Sequence, residues 1–234
     1  MDSAKKTARL AGLAYLVLGI ASVWGLLCIP LVRADAAALG RLIARPGFHF
    51  PLGLLSDLIS QVSSVFLVLL LYRLLSPINT HRAALMAALL LVSVPFSMGI
   101  TLTDVAARIL MSGPEFLSAF TQAQLNGLAM VFTNLHIQGI FAVEIFWGLW
   151  LLPFGLLVLK SRFIPRGLGI TLIIAGIAYI AHSLISLLFP GPQPAIYRSL
   201  TMLARAAGEL PMILWLLIKG VRAVPSLEKV APAV

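Results

Sequence analysis

The sequence is poor in charge. Only 11% of its 234 residues are Asp, Glu, Lys or Arg, where soluble domains carry about 25%. Just 8 are acidic. So few charges do not keep a globule of this size in solution, which excludes a cytosolic enzyme and a charge-rich disordered chain. Cysteine is nearly absent as well. Cys28 alone rules out an intrachain disulfide and a cysteine-based zinc cluster; its apolar neighbours make it a buried, inert thiol. Short catalytic signatures are also missing: the chain has no G-x-S-x-G, no H-E-x-x-H, no P-loop and no D-D-x-x-D run.

What the chain has in excess is hydrocarbon. The hydrophobic fraction is 60% and the mean hydropathy +1.03, and the lipid bilayer is the solvent that accommodates such a surface. Six apolar stretches reach the roughly 20 residues needed to cross it: 9–32, 51–75, 82–110, 134–159, 163–189 and 195–219. The expected fold is all-α: one polytopic transmembrane helix bundle of six spans over 1–234. The first stretch runs well past the 7–15 apolar residues of a signal peptide, and Leu26-Leu27-Cys28 has a bulky Leu where a lipoprotein cleavage site needs a small residue. It reads as an uncleaved helix.

The net charge of +9 would suggest nucleic acid in a soluble protein. Here no basic stretch interleaves with aromatics, so the expected partners are membrane lipids and not nucleic acid. Of the 17 Lys and Arg residues, 11 fall at the N-terminus, in the second and fourth connections, or at the C-terminus: Lys5, Lys6, Arg9, Arg73, Arg82, Lys160, Arg162, Arg166, Lys219, Arg222 and Lys229. The positive-inside rule then predicts that both termini are cytoplasmic.

The outer connections are longer. Asp35 caps a short interfacial helix over 35–44 that stops at Pro46-Gly47. Ser112, Pro114 and Glu115 read as the start of a second outer helix over 116–132, which feeds span four. These two elements are placed to form a lid; the alternative is a packed surface loop. Small residues recur every seven positions at Gly12/Gly19, Gly148/Gly155 and Gly169/Gly176/Ser183, a pattern for close helix packing in lipid. Pro95 and Pro153 are expected to kink spans three and four.

Half of the acidic residues lie inside spans: Asp57, Asp104, Glu144 and Glu209. Each costs about 2.5–3.5 kcal/mol at a helix centre. Asp104/Arg108 and Arg205/Glu209 are i,i+4 pairs on single helix faces, and Asp57/Gln61 shares the spacing. At ~1.5 Å rise per residue, Arg205 and Glu209 straddle the middle of span six and Glu144 lies roughly 5 Å outward of the middle of span four. Asp57, Asp104 and His182 lie roughly 10 Å outward, with His136 and Gln138 near the outer mouth of span four. Five spans thus turn polar groups toward one outer zone, while span one contributes mainly packing.

That zone is expected to be a water-containing cavity for a small polar or anionic ligand, since intramembrane charges are functional candidates by default and guanidinium forks suit phosphate or carboxylate. The competing reading is a set of buried ion pairs that only fixes helix register. No cofactor is predicted. His136 and His182 differ by roughly 9 Å in depth, which argues against bis-histidine haem. A metal at His182, Glu144 and Glu209 is geometrically open, but no Glu-x-x-His spacing supports it.

Several stretches carry a family likeness. They are Thr7-Ala-Arg-Leu-Ala-Gly-Leu-Ala-Tyr-Leu16, Ser56-Asp-Leu leading to Leu71-Tyr-Arg-Leu-Leu-Ser-Pro-Ile-Asn79, and Asn134-Leu-His-Ile-Gln-Gly139. Further along come Ser161-Arg-Phe-Ile-Pro-Arg-Gly-Leu-Gly169, Ala175-Gly-Ile-Ala-Tyr179, and Gly208-Glu-Leu followed by Trp215-Leu-Leu-Ile-Lys-Gly220. In this order they resemble a bacterial family of six-helix membrane proteins known as a domain of unknown function. The resemblance implies the fold and an inner-membrane location and supplies no activity. It places Asp57, His136 and Glu209 in family-like motifs. Three functions stay open: a ligand-binding protein, for transport or otherwise, although the two halves show no inverted repeat; a membrane-embedded enzyme on a lipid or isoprenoid head group; and a non-catalytic regulator or assembly subunit.

Overall fold

The computed structural model describes residues 2–28, 49–189, 191 and 193–221. Among these the ordered elements are helical: α1 Asp2–Cys28, α2 His49–Leu75, α3 Thr80–Ser112, α4 Gln122–Leu149, α5 Leu151–Ser161, α6 Arg166–Leu188 and α7 Ala195–Ile218, with a 3₁₀ turn at Glu115–Leu117. Six segments are long and apolar enough to cross a membrane, α4 and α5 together forming the fourth. The chain is a multi-pass membrane protein.

Local chemistry sets the boundaries. Asn79 accepts a hydrogen bond from the Arg82 amide and caps α3, which ends at Gly113 with φ 58°, a left-handed position that suits glycine. Ser112 is therefore the last residue of α3 and not the cap of a following helix. The expected outer helix over 116–132 divides differently: Thr121 and Gln124 form a reciprocal capping box, and α4 starts at Gln122 and runs unbroken into the span. The expected helix over 35–44 lies outside the described residues. Span four breaks between Leu149 and Leu151. Pro153 explains the position, because its ring displaces the carbonyl four residues earlier, at Leu149. Pro95 and Pro211 lie inside helices that continue past them.

The helices pack in sequence order, α1 on α2, α2 on α3, α3 on α4, α4 and α5 on α6, α6 on α7, and α7 back on α1. The ring closes. Glycines bring α4–α5 against α6: a Cβ on Gly148 would sit 2.6 Å from the Gly176 carbonyl oxygen, and one on Gly155 would sit 2.6 Å from that of Gly169. Gly208 lets α7 approach equally close to Thr171 of α6, which brings Glu209 to the interior.

The two ends of the ring differ. At the base, where α1 starts, the interior is filled by Leu67, Leu71, Leu75, Met86, Leu151, Phe154, Leu157, Leu172, Met212 and Leu216, all fully buried. This is a dry apolar plug. Toward the far end the buried side chains turn polar: Ser56, Ser60, Gln61, Ser97, Asp104, His136, Glu144, Ser183 and Ser186. There α3, at 33 residues, and span four, at 40, are roughly 50 and 60 Å long, against roughly 35 Å for the 23-residue α6. The α3–α4 hairpin therefore projects beyond its neighbours, held by a small cluster of Ala107 and Ala129 with Leu110, Met111, Met130 and Phe132.

Candidate functional site

The intramembrane charges separate into two groups. The first lies midway along the bundle and joins four helices. Glu144 on α4 uses both carboxylate oxygens: Arg205 Nη1 on α7 donates to Oε1 at 2.8 Å, and Oε2 lies 2.5 Å from His182 Nδ1 on α6. The His182 ring stacks on Tyr197 at 6.0 Å and meets the edge of Phe141 at 5.6 Å. The Arg205 guanidinium lies over the Tyr179 ring at 4.4 Å. One turn further toward the base, Glu209 accepts from Tyr15 Oη at 2.5 Å and from Tyr179 Oη at 2.8 Å. The result is a continuous polar string, Tyr15–Glu209–Tyr179–Arg205–Glu144–His182–Tyr197, with the apolar plug below it.

The second group sits further out, between α2, α3 and α4. His136 Nδ1 lies 3.1 Å from Asp104 Oδ2. Asp57 on α2 is within electrostatic reach of both. His136 and Glu144 are eight residues apart on α4, about 12 Å along the axis, so the groups are separate sites within one interior.

Of the residues the sequence pattern turned inward, Asp57, Asp104, His136, Glu144, His182, Arg205 and Glu209 are buried or half-buried, but the pairings differ from the i,i+4 pattern. Arg205 does not close on Glu209 four residues away; it reaches across to Glu144. Asp104 pairs with His136 rather than with Arg108, whose exposed guanidinium lies 5.6 Å from the Phe50 ring centroid. Gln61 is buried and donates to Ser60 Oγ at 3.3 Å. Gln138 is exposed and joins neither group. Span one does more than pack, because Tyr15 carries a hydroxyl to Glu209. Tyr15 and Tyr179 were missed by reading charges alone. The signal was present: a tyrosine hydroxyl buried in hydrocarbon needs an acceptor, and carboxylates are the scarce acceptors here.

Several buried polar atoms around the first group have no partner among the described residues. They are Arg205 Nε, Ser183 Oγ, Ser186 Oγ and Tyr197 Oη. All four lie on α6 and α7; Tyr197 stacks on the His182 ring and Arg205 bonds Glu144. All four are hydrogen-bond donors. The Glu144 side chain is 6% exposed, that of Arg205 18% and that of His182 15%. Among the described residues no three His, Cys, Asp or Glu side chains come together as a metal-binding group; Glu209 is turned away from Glu144 and His182 by its two tyrosines.

The family model of a domain of unknown function (DUF4386) matches residues 10–220. No curated protein and no solved structure matches the chain.

Proposed function

The chain belongs to the DUF4386 family, which assigns it no activity, and we propose from its own geometry that it binds a small polar or anionic ligand in the far half of the bundle. On this reading it resides in a bacterial cytoplasmic membrane with both termini cytoplasmic, as its Lys and Arg distribution favours. The far half then faces outward.

The observation that carries the proposal is Arg205. Its guanidinium uses Nη1 on Glu144, while Nε is buried and unpartnered. Leaving a buried donor unsatisfied costs about 1–3 kcal/mol, and the hydroxyls of Ser183, Ser186 and Tyr197 add to that demand. An unpartnered guanidinium nitrogen is matched by an acceptor-rich guest, such as a carboxylate or phosphate group. Glu144 occupies part of that place in the free protein as an internal counter-ion. The plug at the base favours a site open only on the far side.

A second reading has one observation in its favour. Glu144 orients His182 through Nδ1 at 2.5 Å, the arrangement of an imidazole held for proton transfer. This suits an enzyme acting on a lipid or isoprenoid head group. A regulator with a purely structural network remains the third.

Native mass spectrometry of the purified full chain, released gently from detergent, tests the proposal. Wild type is expected to carry a small bound anion that Arg205→Gln loses while keeping its fold. A wild type that carries none, with no small carboxylate or phosphate raising its melting temperature, overturns the binding reading. Chemical conversion of a co-purified head group by wild type but not by His182→Gln moves the assignment to the enzyme.

A further inference from the structure

A second feature lies at the opposite end of the molecule, where α5 leaves the bundle and α6 re-enters it. The connection Ser161–Arg166 is held rigidly. Ser161 Oγ donates to the Val158 carbonyl at 2.9 Å and accepts from the Ile164 amide at 3.3 Å. Phe163 and Ile164 are buried to 2% and 3% exposure and root the turn in the plug. Arg162, Phe163, Ile164, Pro165 and Arg166 line a shallow pocket of about 390 Å³.

Among the described residues, no carboxylate pairs with the charges around this pocket. Lys160, Arg162 and Arg166 are exposed, and among the described residues none has an ion-pair or hydrogen-bond partner. Arg162 ends α5 with φ 58°, and it is the one non-glycine residue at positive φ among those described. Glycine is the residue this position favours. The backbone conformation therefore gains nothing from arginine here, whereas an anion in the pocket gains a guanidinium carried on a hydrogen-bonded turn. Two such guanidinium groups at a membrane boundary match a phosphodiester whose tails continue into lipid.

We propose that the Arg162–Arg166 pocket binds the phosphate of an anionic phospholipid head group. It is a site distinct from the interior polar string and does not depend on the function proposed for that string. Diffuse attraction between basic residues and anionic lipid is the competing account, at about fivefold in affinity per residue wherever the residue sits on that face.

The test titrates the purified full chain in detergent with phosphatidylglycerol and, separately, phosphatidylcholine, and counts bound lipids by native mass spectrometry. Wild type is expected to bind the first phosphatidylglycerol at least about tenfold more tightly than phosphatidylcholine. Arg162→Gly combined with Arg166→Gln is expected to abolish that preference. Arg82→Gln, a neutralisation in the neighbouring base connection, is expected to leave it intact. Arg162→Gly alone is expected to keep or raise the melting temperature, so loss of lipid binding in that variant is not loss of fold. A parallel titration with inorganic phosphate separates the sources: displacement of phosphatidylglycerol by phosphate identifies a free-phosphate site, and its failure to displace supports the lipid. Equal binding of the two lipids, or an equal loss in Arg82→Gln, overturns the proposal.

Discussion

Glu144 divides its carboxylate between two helices, with Oε1 2.8 Å from Arg205 on α7 and Oε2 2.5 Å from His182 on α6. One side chain on α4 therefore ties that helix to both α6 and α7. The same contact engages Nη1 of the guanidinium and leaves its Nε without a hydrogen-bond partner among the described residues.

Removing one member of this contact should cost more than removing both. Glu144→Gln leaves a cation in a low-dielectric interior, and breaking a buried pair costs about 3–5 kcal/mol; because Arg205 keeps 18% exposure, the lower end is expected. Glu144→Gln combined with Arg205→Met removes the stranded charge and should recover most of the loss. Denaturant unfolding in detergent micelles measures both. A double variant as unstable as the single one would show that the pair does not act as a unit.

The spans were legible in the sequence because hydropathy is a local property: a run of about 20 apolar residues reads the same whatever it packs against. The inward placement of Asp57, Asp104, Glu144 and Glu209 was legible for the same reason, since a charge inside a span has to face the interior. Their partners were not. The i,i+4 rule sees only one helix, whereas Arg205 finds Glu144 61 residues away and Glu209 finds Tyr15 194 residues away. Such contacts follow from which helices neighbour each other and at what rotation, and the close approaches at Gly148, Gly155 and Gly208 set that rotation. The glycine spacing was visible; its consequence for the charges was not.

The glycines give a contrast that separates packing from mere helix propensity. Gly148→Val drives a Cβ to within 2.6 Å of the Gly176 carbonyl oxygen and 2.7 Å of Ile180. Backbone cannot yield as a flexible side chain does, so a loss of at least about 1–3 kcal/mol is expected. Gly99 and Gly127 meet nothing within 4 Å. Gly99→Ala and Gly127→Ala should be neutral or stabilising, by up to about 1 kcal/mol from helix propensity. Melting temperatures of the three variants decide the matter, and equal destabilisation would contradict the helix contacts described.

Topology offers a direct check on the orientation proposed. With the basic residues of the base on the cytoplasmic side, a fluorescent protein fused after Val234 should fold and fluoresce, and alkaline phosphatase fused there should be inactive. An active phosphatase would invert the molecule and turn the polar half toward the cytoplasm.

Tyr15 and Tyr179 make the final prediction, and it concerns how a carboxylate survives near the plug. Glu209 sits one turn closer to the base than Arg205, and its two oxygens are taken by two hydroxyls from α1 and α6. A hydrogen bond to a charged acceptor contributes about 1.5–3 kcal/mol, and losing one strands part of a buried group. Tyr15→Phe should therefore destabilise by about 1.5–3 kcal/mol, although the ring and its packing on Trp150 at 6.0 Å are retained. Tyr179→Phe should cost a similar amount while keeping the aromatic face beneath Arg205. Introducing Glu209→Gln lowers the demand for both donors, so the cost of Tyr15→Phe should shrink in that background. A double-mutant cycle on thermal unfolding reads the coupling. Coupling indistinguishable from zero would mean that the hydroxyl is satisfied elsewhere and that α1 only packs.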